Sequence, residues 1–106
     1  PFSGVVLDDR EGEKLAQKLG NRKAIILQNH GLLTVGNSVE AAAWWFITMD
    51  NAAHAQLLAQ AAGTVRPIAP DVARKTASQV GSDLGGYFSF QPLWDWIVAQ
   101  EPDLLD

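Results

Sequence analysis

The chain has 106 residues, 47% of them hydrophobic and 19% charged, with a net charge of −4 and no cysteine. That length suits one small domain with a thin core, and the missing thiols exclude disulfides, thiolate metal sites and cysteine nucleophiles. The eight Lys and Arg residues are scattered and form no basic stripe, which argues against nucleic acid or an anionic membrane as a partner.

No basic segment followed by an apolar one marks a signal peptide. The longest apolar run, residues 41–47, falls far short of the ~20 residues of a membrane span. A soluble, cytoplasmic protein is expected. Four Trp and four Phe give the chain more aromatic surface than so small a core readily covers, which anticipates a partner.

The first element is a short amphipathic helix over residues 10–19, with Leu15, Ala16 and Leu19 on one side. An Asp of the Asp8-Asp9 pair caps it and Gly20 stops it. Next, the apolar run 24–27 has the length of a strand. Asn29-His30-Gly31 interrupts it, and residues 32–35 resume it before Gly36. Two β-prone runs around a Gly-containing break predict a hairpin or a bent strand pair.

Asn37-Ser38 opens the longest helix, predicted over Val39–Ala62, with Glu40 at capping-box spacing from Asn37 and Gly63 as its stop. Its first half is apolar almost all round and belongs in a core or at a subunit boundary. The second half, with Asp50, Asn51, His54, Gln56 and Gln60, emerges toward solvent. After a connector punctuated by Pro67 and Pro70, residues 71–80 form a helix ending at Gly81. Gly85-Gly86 reads as a flexible break, residues 87–90 as a short aromatic segment, and Pro92 as the first turn of a last helix over residues 93–99.

Helix, strand, strand and three further helices make an α/β or α+β piece. A two-stranded sheet is a poor independent unit. The run 25–27 is also apolar on both faces, as a central strand would be. The pattern is that of part of a larger sheet domain.

His30 is the leading candidate for chemistry, because it follows an apolar strand at a turn, where a rigid scaffold presents side chains. Gly31 would allow close approach of backbone or ligand. Asn, His and Gly also suit a turn for purely structural reasons. His54 lies one helical turn after Asp50 and reads first as a solvated surface pair. With only two histidines, one copy of the chain cannot build a three-histidine metal site.

Other constellations fail. There is no phosphate-binding glycine loop, and Ser3, Ser38, Ser78, Ser82 and Ser89 lack a nucleophile-elbow context. Asp8 with Asp9, and Asp83 with Glu101, have no partner fixed by spacing. The aromatic group Tyr87, Phe88, Phe90, Trp94 and Trp96 reads as core or interface packing rather than a stacking platform.

The stretch 24–36, read as Ala-Ile-Ile-Leu-Gln-Asn-His-Gly-Leu-Leu-Thr-Val-Gly, together with the helix after it, resembles the class II aldolase/adducin family. The region up to Gly63 and the ending from Ser89-Phe90-Gln91-Pro92 to Pro102-Asp103-Leu104-Leu105 are similar in character. The resemblance implies a three-layer α/β/α domain about twice this length, of which residues 1–106 would be the C-terminal part. It implies lyases or epimerases acting on small sugar phosphates or hydroxy acids, commonly as homotetramers.

The resemblance further implies a divalent ion, zinc being expected, held by a His-x-His pair and by the histidine of Asn-His-Gly. That last ligand corresponds to His30, with Asn29 and Gly31 as its supporting turn. The other two ligands and the catalytic acid would lie upstream, so no catalytic residue is assigned within the chain. The ion would act as a Lewis acid during carbon–carbon cleavage. A lone imidazole cannot hold zinc with an open position, so these 106 residues alone are expected to bind no stoichiometric zinc and to lack lyase activity.

Three functions compete. The chain is a fragment of a metal-dependent aldolase, decarboxylase or epimerase; or its parent is an adducin-like assembly protein without catalysis; or it is a free-standing binding or oligomerising module. A His-x-His pair upstream would separate the first from the second. In each case self-association is expected, because Trp44, Trp45 and Phe46 point about 100° apart and sweep most of the helix circumference.

Overall fold

The computed structural model describes residues 9–106. It contains α1 (Asp9–Leu19), β1 (Ala24–Leu27), β2 (Gly31–Thr34), α2 (Val39–Ala62), α3 (Pro70–Val80), α4 (Asp83–Gln100) and a final 3-10 turn (Pro102–Leu105). Asp8, one of the two expected caps of α1, lies outside the described residues. Asp9 and Glu11 stand in the first turn of α1 and Lys18 in its last, each complementing the helix dipole. Gly20 then takes φ 58°, the left-handed turn that ends the helix. Leu15 and Leu19 are half-buried, and α1 rests against β1.

The predicted strand pair is an antiparallel hairpin, with Ala24 opposite Thr34, Ile25 opposite Leu33, Ile26 opposite Leu32 and Leu27 opposite Gly31. The Val35 N–H donates to Lys23 O at 2.9 Å and extends the ladder at its open end. Ile26 is 67% exposed although the run around it is apolar. A strand apolar on both faces is covered here on one side only.

α2 covers the predicted span, Val39–Ala62, but its capping differs from the expected Asn37–Glu40 box. Ser38, not Asn37, is the N-cap, and its hydroxyl accepts from Ala41 N at 3.1 Å. The third helical position is therefore Ala41 rather than Glu40, and no reciprocal capping box forms. The hydroxyl of Thr34 donates to Ala42 O at 2.8 Å and ties the end of β2 to the first turn of α2. Gly36 makes that junction possible, since a Cβ there would sit 2.9 Å from Ala42 N and 3.0 Å from Ala41 Cβ.

The expected break at Gly85-Gly86 does not exist. Residues 83–100 are one helix that absorbs both glycines, the aromatic segment and Pro92. Two local causes are visible. Ser82 caps α4, its hydroxyl accepting from Gly85 N at 3.0 Å, and Gly86 is buried where α4 crosses α2. A Cβ on Gly86 would lie 3.0 Å from Trp45 Cζ2 and 3.3 Å from Ala41 Cα. The second glycine is thus a close-packing position rather than a hinge. Pro92 removes one helical hydrogen bond, and the preceding Gln91 side chain donates back to Tyr87 O at 3.0 Å on that turn.

Among the described residues, Ala41, Trp45 and Gly86 alone are buried. The core is therefore the crossing of α2 and α4, with β2 laid against the start of α2. Trp45 is its largest member, and burying such a ring is worth roughly 2–3 kcal/mol. The first half of α2 is enclosed less completely than its apolar sequence suggests: Val39 is 82% exposed and Phe46 45%. The second half is exposed throughout, as expected. No described helix is long and apolar enough to cross a membrane.

Candidate functional site at the hairpin tip

The tip is a turn spanning residues 27–30, closed by a hydrogen bond from His30 N to Leu27 O at 3.0 Å. Its third residue, Asn29, has φ 60°, the one positive φ among the described non-glycine residues. A type II turn asks for a positive φ at this position, and Asn accepts it at less cost than any bulkier residue. Asn29 therefore sets the chain direction at His30, and the Leu27 carbonyl fixes the His30 main chain.

The His30 side chain is exposed at the end of the hairpin. Gly31 opens β2, and a Cβ built on it would meet no atom within 4 Å. The described part of the chain thus leaves the space beside Gly31 open. Among the described residues, no group of three or more His, Asp or Glu side chains could hold a metal ion. An imidazole offers a metal ion one nitrogen donor, and the described residues place no further His, Asp or Glu set beside His30.

His54 is brought to no other candidate. It and Asp50 are both exposed on the second half of α2, and no ion pair joins them. The aromatic group of α4 lies largely at the surface, with Phe88 62% and Trp96 61% exposed, and Tyr87 meets Phe88 edge to face at 5.4 Å. Asp83 and Glu101 stand at opposite ends of α4 and form no pair.

Sequence reasoning missed a second polar cluster. At the base of the hairpin, residues 20–23, Val35, Gly36 and Asp83 line an open groove of about 250 Å³. The Trp45 indole N–H donates to Asp83 Oδ1 at 3.3 Å, and Lys23 Nζ lies 5.6 Å from the centre of the Trp45 ring. The four-residue strands separate this groove from His30 by roughly 13 Å. It belongs to the framework rather than to the tip.

Residues 4–57 match the Class II Aldolase and Adducin N-terminal domain. The chain belongs to this family. The matched region contains α1, the hairpin with its Asn-His-Gly tip, and most of α2. Similarity to individual family members continues through α4. The chain is 50% identical to Decarboxylase NovR of Streptomyces niveus over 97% of its own length and 38% of that protein.

It is equally similar, 50% identical over 97% of the chain and 37% of the relative, to the 4-hydroxy-3-prenylphenylpyruvate oxygenase/4-hydroxy-3-prenylbenzoate synthase of Streptomyces roseochromogenus subsp. oscitans. The L-fuculose 1-phosphate aldolase from Glaciozyma antarctica PI12 superposes with a TM-score of 0.82 at 41% identity, over 92% of this chain and 39% of that one. The chain therefore has the α/β class II aldolase fold over a region under two-fifths the length of these relatives.

Proposed function

We propose that this chain is the C-terminal part of a class II aldolase-type domain and that it contributes His30 as one imidazole ligand of a divalent metal centre, zinc being the expected ion. The observation that carries this reading is the tip geometry. The main chain at His30 is pinned by the Asn29 turn and the Leu27 carbonyl, and the residue is exposed at the end of the hairpin beside a glycine that adds no bulk. A pre-set turn on a two-stranded scaffold is how a protein holds a ligand without burying it. The ion, when bound, would supply Lewis acidity for developing negative charge.

The reaction class we infer is carbon–carbon bond cleavage by a lyase on a small hydroxy acid or sugar phosphate. Relatives named as a decarboxylase and as an aldolase both break a carbon–carbon bond, which supports this breadth and no narrower substrate. Within the chain the task of Asn29 and Gly31 is to orient His30 and to keep its surroundings clear. A cytoplasmic location accords with the cysteine-free sequence. Self-association is part of the same reading, because so much of the surface of α2 and α4 is apolar.

The test is metal content and cleavage activity of a longer polypeptide that carries a His-x-His pair ahead of residue 1, with and without His30→Ala. Loss of most activity together with weakened metal binding is expected. Retention of both would remove His30 from the centre, whereas a longer polypeptide with neither bound metal nor cleavage activity would leave the adducin-like assembly role as the better reading.

A further inference from the structure

The second half of α2, the connector and α3 form an arm that runs out from the body and returns to it. The root is fixed, since Trp45 on the outgoing helix is hydrogen-bonded to Asp83, just past the returning one. Beyond the root, residues 48–62 extend about 22 Å of helix with every residue exposed. α3 has no extended packing against any other element. The radius of gyration, 16.5 Å, exceeds the roughly 13 Å of a compact chain this size. Leu57, Leu58, Ile68, Val72 and Val80 line the arm at 49–67% exposure, an apolar surface that no described residue covers.

The charge of the arm singles out an occupant. Residues 48–80 carry Arg66, Arg74 and Lys75 against Asp50 and Asp71, and the adjacent Arg74 and Lys75 concentrate the positive charge on α3. The rest of the chain after Lys75 has no Lys or Arg at all, but has Asp83, Asp95, Glu101, Asp103 and Asp106. Four of these five acids, all but Asp83, are exposed, and they stand beside exposed Trp96, Leu104 and Leu105. Among the described residues, none of the three arm cations forms an ion pair with a carboxylate. The α3 side of the arm is thus apolar and basic and the C-terminal end of the chain apolar and acidic, and no described residue pairs with either.

We infer that the arm of one copy docks on the acidic α4 C-terminal end of a second copy, Arg74 and Lys75 facing the carboxylates of Asp95 and Asp103. This rests on the self-association proposed above and names its surfaces. In a two-fold dimer the contact would occur twice, each copy giving and receiving an arm. Burial of the Leu57, Val72 and Trp96 surfaces would supply the affinity. The opposed charges would fix register and speed encounter.

The experiment is sedimentation of the 106-residue chain at micromolar concentration, alone and as two charge-reversed variants, Arg74→Glu/Lys75→Glu and Asp95→Lys/Asp103→Lys. Circular dichroism would confirm unchanged helix content. Each variant alone should self-associate at least about tenfold more weakly than the parent, and an equimolar mixture should regain most of the loss. Parent association should also weaken with added salt.

A parent that associates normally while both variants match it, or a mixture that recovers nothing, overturns the arm assignment and leaves self-association standing. A monomeric parent overturns both.

Discussion

The indole N–H of Trp45 donates to Asp83 Oδ1 at 3.3 Å, joining residues 38 apart in sequence. The bond lies where α2 and α4 cross, beside the buried Gly86, so the few enclosed groups of this chain are held by one polar link. Asp83 also occupies the first turn of α4, where a carboxylate favours the helix dipole. Asp83→Ala should cost about 1–2 kcal/mol in urea unfolding. A double-mutant cycle with Trp45→Phe should give a coupling of about 0.5–1 kcal/mol. Coupling near zero would show that the two residues act independently.

Gly86→Ala sets two effects of opposite sign against each other. Alanine in a helix interior is favoured over glycine by up to about 1 kcal/mol. The new Cβ, however, would stand 3.0 Å from the Trp45 ring and 3.3 Å from the Ala41 main chain, which cannot retreat without moving α2. Overpacking of this kind costs about 1–3 kcal/mol, so net destabilisation of about 1 kcal/mol is expected. A melting temperature equal to or above the parent value would mean that the helices separate freely.

Thr34→Val keeps the shape of the side chain and removes the hydroxyl that reaches Ala42 O. The carbonyl belongs to a helix and retains its helical acceptor role. The expected loss is therefore at the low end, about 0.5–1 kcal/mol. Faster amide exchange at β2 should accompany it, because the bond fastens the hairpin to α2. Unchanged exchange there would assign the fastening to Gly36 packing alone.

His30→Ala in the 106-residue chain should leave the fold nearly intact, with a loss under about 1 kcal/mol. The side chain is exposed, and the turn is closed by the main chain of residue 30 rather than by its imidazole.

The same chain, dialysed against zinc and analysed for the element, should hold well under one ion per molecule. It has two histidines and no cysteine, and zinc requires three or four donors. One tightly bound zinc per chain, lost on His30→Ala, would show that the missing donors come from within the chain or from a second copy.

Local rules located most of the elements. Gly20 ended α1 through a left-handed turn, the Asn-His-Gly break became a hairpin tip, and Gly63 followed a helix that began at Val39. They failed over residues 83–92, where two glycines and a proline normally signal breaks. Those signals describe an isolated segment. Here a long-range contact with Trp45 favours glycine at position 86, and a cap at Ser82 starts the helix before the glycines are reached. At the tip, the positive φ of Asn29 and the exposure of His30 agree with the residue types. The groove at the hairpin base joins residues distant in sequence, which no spacing rule could anticipate.

The hairpin has one further consequence. Each strand has a single neighbour among the described residues, so the outer rims of β1 and β2 present main-chain donors and acceptors that no other described strand engages. Such a rim is a template for any extended segment that meets it, and the uncovered Ile26 gives the newcomer an apolar surface to settle on. In a concentrated solution of this chain, pairing between rims is then a route of association separate from the contact of the arm with α4. A charge on the outer face, as in Ile26→Lys, is the kind of gatekeeper that would prolong its shelf life.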